Sequence, residues 1–256
     1  MVEILILALF LIFTTQIVFF ALAASLRTDK FTDLSYGLTF VAVTLFLFFT
    51  KSNQNLIQTI TALLITVWGL RLAGYLFARI LKTQKDVRFD KIRNDPVKFA
   101  KFWFLQAVSI FIILLPAFVI LNSDKTTNFS YLWIGFMISA GGLTIETIAD
   151  QQKFTFKNKT ANKDRWISTG LWKYSRHPNY FGEILIWWGI YIIALPHLEN
   201  WLYLTITGPL FITSLLLFVT GIPTLEKKYE EKYKNNPDFA KYNSKTSLLV
   251  PLPPKI

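Results

Sequence analysis

The stretch LWKYSRHPNYFGEILIWWG at positions 171–189 joins a basic, polar segment to an apolar segment suited to a lipid bilayer. Lys173, Arg176 and His177 lie in its first half, and Glu183 lies within the apolar second half. An ionisable side chain inside a membrane helix is costly and usually faces a polar interior. The stretch therefore predicts a membrane helix whose mouth holds a polar site.

The composition is typical of an integral membrane protein. Of the 256 residues, 53% are hydrophobic and 16% are aromatic, and the mean hydropathy is positive, which is rare in a soluble domain of this size. The chain has no cysteine, two histidines and no HExxH sequence, so we expect neither disulfides nor a bound metal. The net charge of +11 is explained by the enrichment of Lys and Arg in the cytoplasmic loops of membrane proteins. Part of this charge could also face an anionic ligand or lipid headgroups. Without a binding motif, no nucleic acid partner is expected.

Seven apolar segments approach the length of about 20 residues that spans a bilayer. They cover approximately residues 4–26, 33–50, 56–78, 102–121, 130–149, 180–196 and 201–221. The first lacks the basic start of a signal peptide, so we interpret it as a membrane helix. The sequence ALAAS at 21–25, which resembles a cleavage site, keeps the signal-peptide alternative open.

The distribution of basic residues predicts one orientation. They concentrate between helices 3 and 4, between helices 5 and 6, and in the tail 222–256, whereas the opposite side has only Lys51 and Lys125. This asymmetry places the N-terminus outside and the C-terminus in the cytosol. No repeat or linker divides the chain. We therefore predict an all-α, polytopic, seven-transmembrane-helix bundle in a single membrane domain, residues 1–256.

Four ionisable residues lie within or at the ends of predicted helices on the cytoplasmic side, namely Asp33, Arg71, Glu146 and Glu183. They could be structural ion pairs, for instance between Arg71 and a carboxylate. Alternatively they line one polar cavity open to the cytosol, which their convergence on one leaflet favours. Asp150 follows Glu146 by four residues, so the two share a helical face.

The opening stretch has the features of an anion site followed by an amide-binding site. Pro178 suits the first position of a helix, where no backbone N–H is needed. The helix N-terminus attracts anions, and Arg176 and His177 adjoin it. Asn179 and Glu183 are four residues apart and share a face. A ligand with phosphate or carboxylate groups and an amide would fit this pattern.

Five motifs together resemble the DUF1295 branch of the steroid 5α-reductase-like membrane proteins. They are WGLRLAGYLFAR (68–79), ETIADQQKFTFK (146–157), GLWKYSRHPNYFGEILIWWG (170–189), GIPTLEKKYEEKY (221–233) and LLVPLPPK (248–255). The resemblance covers nearly the whole chain, and the joint pattern is specific. RHPNY alone is not, because isoprenylcysteine and phospholipid methyltransferases, which bind S-adenosylmethionine, also contain it.

The resemblance implies NADPH bound in a cytosol-facing cavity without a Rossmann domain, and the chain has no GxGxxG sequence after a strand. Together with the pattern at the mouth of helix 6, it predicts one cofactor-binding set. The set comprises Arg71, Glu146, Asp150, Lys157, Arg165, Tyr174, Arg176, His177, Asn179, Glu183 and Tyr229.

The substrate-polarising residues depart from the family pattern. Steroid 5α-reductases resemble one another in a glutamate on helix 2 and a tyrosine on helix 3 that polarise a ketosteroid carbonyl. This chain has Asp33 near the first place and Trp68 at the second, with Tyr75 two turns later. Tryptophan donates a hydrogen bond but is not a phenolic acid. We therefore predict Asp33 and Tyr75 as the catalytic pair.

These observations predict an NADPH-dependent membrane reductase acting on an activated C=C bond of a lipophilic, steroid- or enone-like molecule. Its expected partners are that small molecule and membrane lipids. One alternative is an S-adenosylmethionine-dependent methyltransferase of a lipid or isoprenylcysteine-like substrate. Another is a non-enzymatic lipid-binding or scaffold protein.

Overall fold

The computed structural model of the protein describes residues 1–84, 86, 89–90, 92–125, 129–162 and 164–255. Four residues that contribute to the basic loops lie outside this part of the chain, namely Lys85, Arg88, Lys91 and Lys163.

The described residues form an all-helical fold without a β-strand. Within the described ranges, nine α-helices follow one another: α1 Val2–Ser25, α2 Thr32–Phe49, α3 Leu56–Thr83, α4 Pro96–Asn122, α5 Phe129–Lys157, α6 Pro178–Ala194, α7 Thr207–Ser214, α8 Ile222–Tyr233 and α9 Pro237–Lys245. A 3₁₀ segment, Asn200–Ile206, precedes α7, and a π-helical turn, Leu215–Val219, follows it.

Six helical segments of the described residues are long and apolar enough to cross a membrane, so the all-α prediction is confirmed and the chain is consistent with an integral membrane protein. They are Val2–Ser25, Thr32–Phe49, Leu56–Thr83, Pro96–Asn122, Phe129–Lys157 and Asn200–Tyr233. The predicted sixth helix forms as α6 but has 17 residues. It is not among these six segments. The count of seven and the orientation stay predictions.

The helix ends differ from the predicted ones where helices continue into polar sequence. α3 ends at Thr83, α4 starts at Pro96 and α5 ends at Lys157, all beyond the predicted limits. Lysine, arginine and glutamine are good helix formers, so leaving the apolar layer does not end a helix. The tail 222–256 is likewise not extended throughout, because α8 and α9 lie within it.

Side-chain caps define several helix starts. The Asn55 side chain accepts a hydrogen bond from Gln58 N at 2.9 Å, and Gln58 Oε1 accepts one from Asn55 N at 3.0 Å. This reciprocal pair is a capping box, which satisfies two donors that the first helical turn of α3 would leave open. Asp95 caps α4 in front of Pro96, which needs no N–H partner.

The chain divides into two compact units. The first comprises Met1–Phe136 and Ile190–Gly208, and the second comprises Met137–Gly189 and Pro209–Ile256. The single-domain prediction stays a prediction, because compactness alone does not show that either unit folds independently.

Buried amides join three helices of the first unit. Gln106 Nε2 of α4 donates to Gln16 Oε1 of α1 at 2.9 Å and to Ser35 Oγ of α2 at 3.1 Å. Gln16 Nε2 donates in turn to Thr39 Oγ1 at 2.8 Å. All four side chains are buried. Interhelical hydrogen bonds of this kind hold helices together in lipid, where apolar burial gives little net attraction between them.

In the second unit, α5 and α6 cross at a pair of glycines. A Cβ on Gly142 would lie 2.5 Å from Gly182 O, and a Cβ on Gly182 would lie 2.5 Å from Gly142 O. Only glycine at both positions allows this backbone approach. Ser139 Oγ of α5 also donates to Ile186 O of α6 at 2.9 Å. The crossing fixes which faces of the two helices meet.

Candidate functional site

The α5–α6 crossing brings three predicted site residues to one place. Glu146 lies on the face of α5 that meets Gly182, since a Cβ on Gly182 would lie 2.8 Å from Glu146 Cβ. Asn179 lies three residues before Gly182 and shares its face of α6, and Glu183 follows Gly182 directly. Glu146 is 2% exposed and Glu183 is 9% exposed. Glu146 and the Asn179 side of α6 therefore meet at this crossing, and Glu183 is buried beside it.

A tight turn before α6 packs under the end of α5. Gly170 adopts φ +62°, and Leu171 N donates to Gln152 Oε1 at 3.0 Å. Glycine adopts this left-handed conformation without strain, whereas a side chain there would be strained. The turn buries Trp172, whose Nε1 donates to Ala149 O at 3.0 Å. Lys153 Nζ lies 4.6 Å from the centre of the Trp172 ring.

The C-terminal segment holds the residues that lead into α6. Arg176 N donates to Ser247 O at 2.8 Å, and Leu252 N donates to Tyr174 O at 3.1 Å. Ser175 Oγ donates to Leu249 O at 2.7 Å. These bonds fix the backbone of residues 174–176, and so they orient the side chains on either side of Pro178.

Glu226 of α8 joins Arg176 and His177. Its Oε2 accepts a hydrogen bond from Arg176 Nη1, and its Oε1 lies 2.7 Å from His177 Nε2. The Arg176 and Glu226 side chains are each 17% exposed, so water screens the pair only weakly. Sequence reasoning missed Glu226. The spacing of Glu226 and Tyr229 places both on one face of α8, but Glu230 and Tyr233 have the same spacing, so it does not single out Glu226.

Three buried polar atoms at the mouth of α6 have no hydrogen-bond partner within the described part of the chain. They are Arg176 Nε, His177 Nδ1 and Asn179 Oδ1. Buried polar groups in folded proteins are nearly always paired, so a cluster of exceptions requires an explanation. A bound molecule with hydrogen-bond donors and acceptors would satisfy all three.

His177 is fully buried, and this burial lowers the pKa of its imidazole below the ordinary value. The hydrogen bond with Glu226 acts in the opposite direction but is the smaller effect. At neutral pH the ring is therefore uncharged, with one protonated nitrogen and one free lone pair. Its ring also stacks on Tyr180, with 5.6 Å between centroids.

A small cavity lies beside Arg176 and Glu226, with a wall of aromatic side chains that includes Trp166, Tyr229 and Tyr242. Its volume of about 10 Å³ suffices for about one water molecule. Tyr229 thus lies beside the Arg176–Glu226 pair, and its role in cofactor binding stays a prediction. The cavity itself is too small for any part of a dinucleotide.

The other predicted residues of the second unit lie around these contacts. Asp150 is 5% exposed and lies on α5 with Glu146. Lys157 also belongs to α5, and its Nζ donates to the backbone oxygen of Arg165. The Arg165 side chain is exposed, and that of Tyr174 is 40% exposed.

Asp33, Arg71 and Tyr75 belong to the first unit. Asp33 Oδ2 accepts a hydrogen bond from Arg79 Nη2 at 3.0 Å, and Arg79 follows Tyr75 by one helical turn. Asp33 is thus held in an ion pair with Arg79, as the structural interpretation of the ionisable residues in the helices expects. Trp68 is fully buried and meets Phe40 edge to face at 5.1 Å. Catalytic roles for Asp33 and Tyr75, and a cofactor role for Arg71, stay predictions.

Comparison with known proteins gives one relative and one family. An uncharacterized protein of Schizosaccharomyces pombe is 25% identical over 173 residues, which cover 56% of this chain and 50% of the relative. The chain thus spans about half the length of that relative. No solved structure matches this chain. The family described as "Protein of unknown function (DUF1295)" matches residues 19–246. This match covers most of the sequence, including every motif around Glu146, Asn179 and Glu226, and the chain belongs to the DUF1295 family.

Proposed function

We propose that this protein is an NADPH-dependent membrane reductase that reduces an activated C=C bond of a lipophilic, steroid- or enone-like molecule. Membership of the DUF1295 family is consistent with the resemblance to steroid 5α-reductase-like proteins. When bound, NADPH supplies the hydride for such a reduction. The protein's own residues bind and orient the nucleotide.

The observation that carries the proposal is the cluster of unpartnered polar atoms at Arg176, His177 and Asn179. Arg176 Nε is a donor and suits a phosphate oxygen. Asn179 Oδ1 is an acceptor and suits the N–H of a carboxamide. The start of α6 at Pro178 adds the positive end of a helix dipole. A phosphorylated nucleotide that also carries an amide matches this arrangement.

Each neighbouring residue then has a defined role. Arg176, with the basic side chains of Arg165 and Lys157 as further candidates, counters the phosphates. Asn179 and Glu183 orient the nicotinamide from the α6 face that meets α5. Glu146, Asp150 and Tyr229 bind ribose hydroxyls or order the surrounding segment. The crossing at Gly142 and Gly182 holds these groups in position and keeps water away from the ring.

The test is an isothermal calorimetric titration of the purified wild-type protein, in lipid nanodiscs, with NADPH, NADH and S-adenosylmethionine. We expect saturable binding of NADPH and weaker binding of NADH. Binding of S-adenosylmethionine alone would replace the proposal with a membrane methyltransferase. If a folded, monodisperse protein bound none of the three, a lipid-binding or scaffold role would be favoured.

We further propose that the site opens to the cytosol, with the N-terminus outside and the tail inside. Because the chain has no cysteine, single cysteines report topology without background. Lys159→Cys and Lys241→Cys, both at exposed positions, should resist an impermeant thiol reagent in intact cells and react after permeabilisation. Lys125→Cys, exposed near the opposite ends of α4 and α5, is the control and should react in intact cells. Labelling of the first two from outside would invert the proposed orientation.

A further inference from the structure

Glu226 contacts two consecutive residues of the proposed site through separate oxygen atoms. Oε2 accepts from Arg176 Nη1, and Oε1 lies 2.7 Å from His177 Nε2. An ionised carboxylate accepts hydrogen bonds and donates none. The imidazole nitrogen that faces it must therefore carry the proton. The contact with Arg176 favours the ionised form of the carboxylate, because the guanidinium is always charged.

The other ring nitrogen of His177 is then left with a free lone pair. The side chain is fully buried, and Nδ1 has no hydrogen-bond partner within the described part of the chain. Burial keeps the ring neutral by lowering its pKa, so Nδ1 does not acquire a second proton at neutral pH. A buried acceptor with no donor is unfavourable, and binding a molecule that supplies the donor removes that cost.

We propose that Glu226 is a positioning residue that holds the proton of His177 on Nε2, so that Nδ1 accepts a hydrogen bond from an N–H or O–H group of the bound ligand. This inference rests on the proposed function, in which the ligand is a nucleotide with ribose hydroxyls and a carboxamide. It adds which atoms of the site donate hydrogen bonds to the ligand and which accept them. His177 and Asn179 present acceptors and Arg176 presents a donor, so the site selects a ligand with donor groups beside an anionic group.

The same carboxylate also orients the donor side of the site. Because Arg176 Nη1 donates to Glu226, the plane of the guanidinium group is fixed. Its Nε has no hydrogen-bond partner within the described part of the chain. Glu226 thus couples a donor and an acceptor through one side chain, in the way that outer residues orient the groups that contact a ligand directly. Its removal should affect both together.

Glu226→Gln tests the inference because it keeps the shape and reverses one hydrogen bond. The amide oxygen can still accept from Arg176, and the amide N–H then faces His177 Nε2. Nε2 must become the acceptor, which moves the proton to Nδ1. We expect the ¹⁵N chemical shifts of His177 to exchange their protonated and unprotonated assignments. NADPH binding should weaken by about tenfold or more, because Nδ1–H would face a ligand donor.

Two internal references sharpen the measurement. His197 is the second of the two histidines in the chain, and its Nδ1 lies 2.9 Å from Ser123 Oγ in the first unit, so its ¹⁵N shifts should not change. Glu230→Gln is the matched control, because Glu230 is an exposed glutamate one turn further along α8. It should leave the His177 tautomer and the NADPH affinity as in the wild type.

The wild-type spectrum is decisive even if the variant fails to fold. It should show a protonated Nε2 and an unprotonated Nδ1 on His177, and NADPH should shift the Nδ1 signal toward that of a hydrogen-bonded acceptor. A protonated Nδ1 in the wild type would overturn the inference, as would a folded Glu226→Gln protein with unchanged tautomer and affinity. Absence of NADPH binding to the wild type would instead remove the proposed function, and the tautomer measurement would still stand as a test of Glu226.

Discussion

Gly142→Ala is expected to destabilise the protein by about 1–3 kcal/mol or more. The added Cβ would lie 2.5 Å from Gly182 O and 2.8 Å from Leu185 Cβ, closer than atoms can approach. α5 and α6 would have to separate. Because Glu146 and Asn179 lie on the helix faces that meet at this crossing, NADPH binding should be lost along with stability. Unfolding by SDS in mixed micelles, followed by circular dichroism, measures the first effect, and calorimetry measures the second.

Gly141→Ala provides a control one residue away on the same helix. A Cβ on Gly141 would meet nothing within 4 Å, and alanine is the better helix former by about 0.5–1 kcal/mol. This variant should be as stable as the wild type or slightly more so. If the two variants were equally stable, the close α5–α6 crossing would be wrong.

Arg176→Ala is expected to weaken NADPH binding by roughly ten- to a hundredfold. A charge-assisted hydrogen bond is worth about 1.5–3 kcal/mol, and each 1.4 kcal/mol is a factor of ten in affinity. If the 2′-phosphate is the partner of Arg176, NADH should be affected much less. Calorimetric titration of the variant with both nucleotides separates these cases.

Lys173→Ala is the matched control for that experiment. Lys173 also carries one positive charge and lies three residues away, but its side chain is exposed, with Nζ 5.8 Å from the centre of the Tyr174 ring. Loss of this charge should change NADPH affinity little, because water and salt screen an exposed charge. Equal losses in the two variants would mean that only net charge matters, and that Arg176 has no specific contact with the nucleotide.

The start of α6 was predictable because its signals are local. Pro178 opens the helix as expected, since proline followed by an apolar run specifies a helix start. Asn179 and Glu183 share a face, as their spacing required. The membrane fold followed from apolar segment length. The extra turns of α3, α4 and α5 could not be predicted in this way. An apolar run marks the part of a helix that lies in lipid, and the helix itself can continue into polar sequence.

Glu226 was not predictable, because nothing in LEKKYEEKY distinguishes it from Glu230 and Glu231. In the sequence, all three resemble solvent-exposed residues on the charged surface of a helix. Only the fold places Glu226 against Arg176 and His177, across about 50 residues of sequence. The bond from Arg176 N to Ser247 O is another long-range contact of this kind. The contacts of Glu226 join side chains and the bond of Arg176 N joins backbone groups, but both link segments far apart in sequence, so no local pattern predicts either.

The central claim is that the mouth of α6 binds NADPH, and native mass spectrometry of the gently extracted protein tests it most directly. The chain should retain a ligand with the mass of NADP⁺ or NADPH, which Arg176→Ala reduces and Lys173→Ala does not. A retained ligand with the mass of S-adenosylmethionine or S-adenosylhomocysteine, and none with that of a nicotinamide nucleotide, would contradict it.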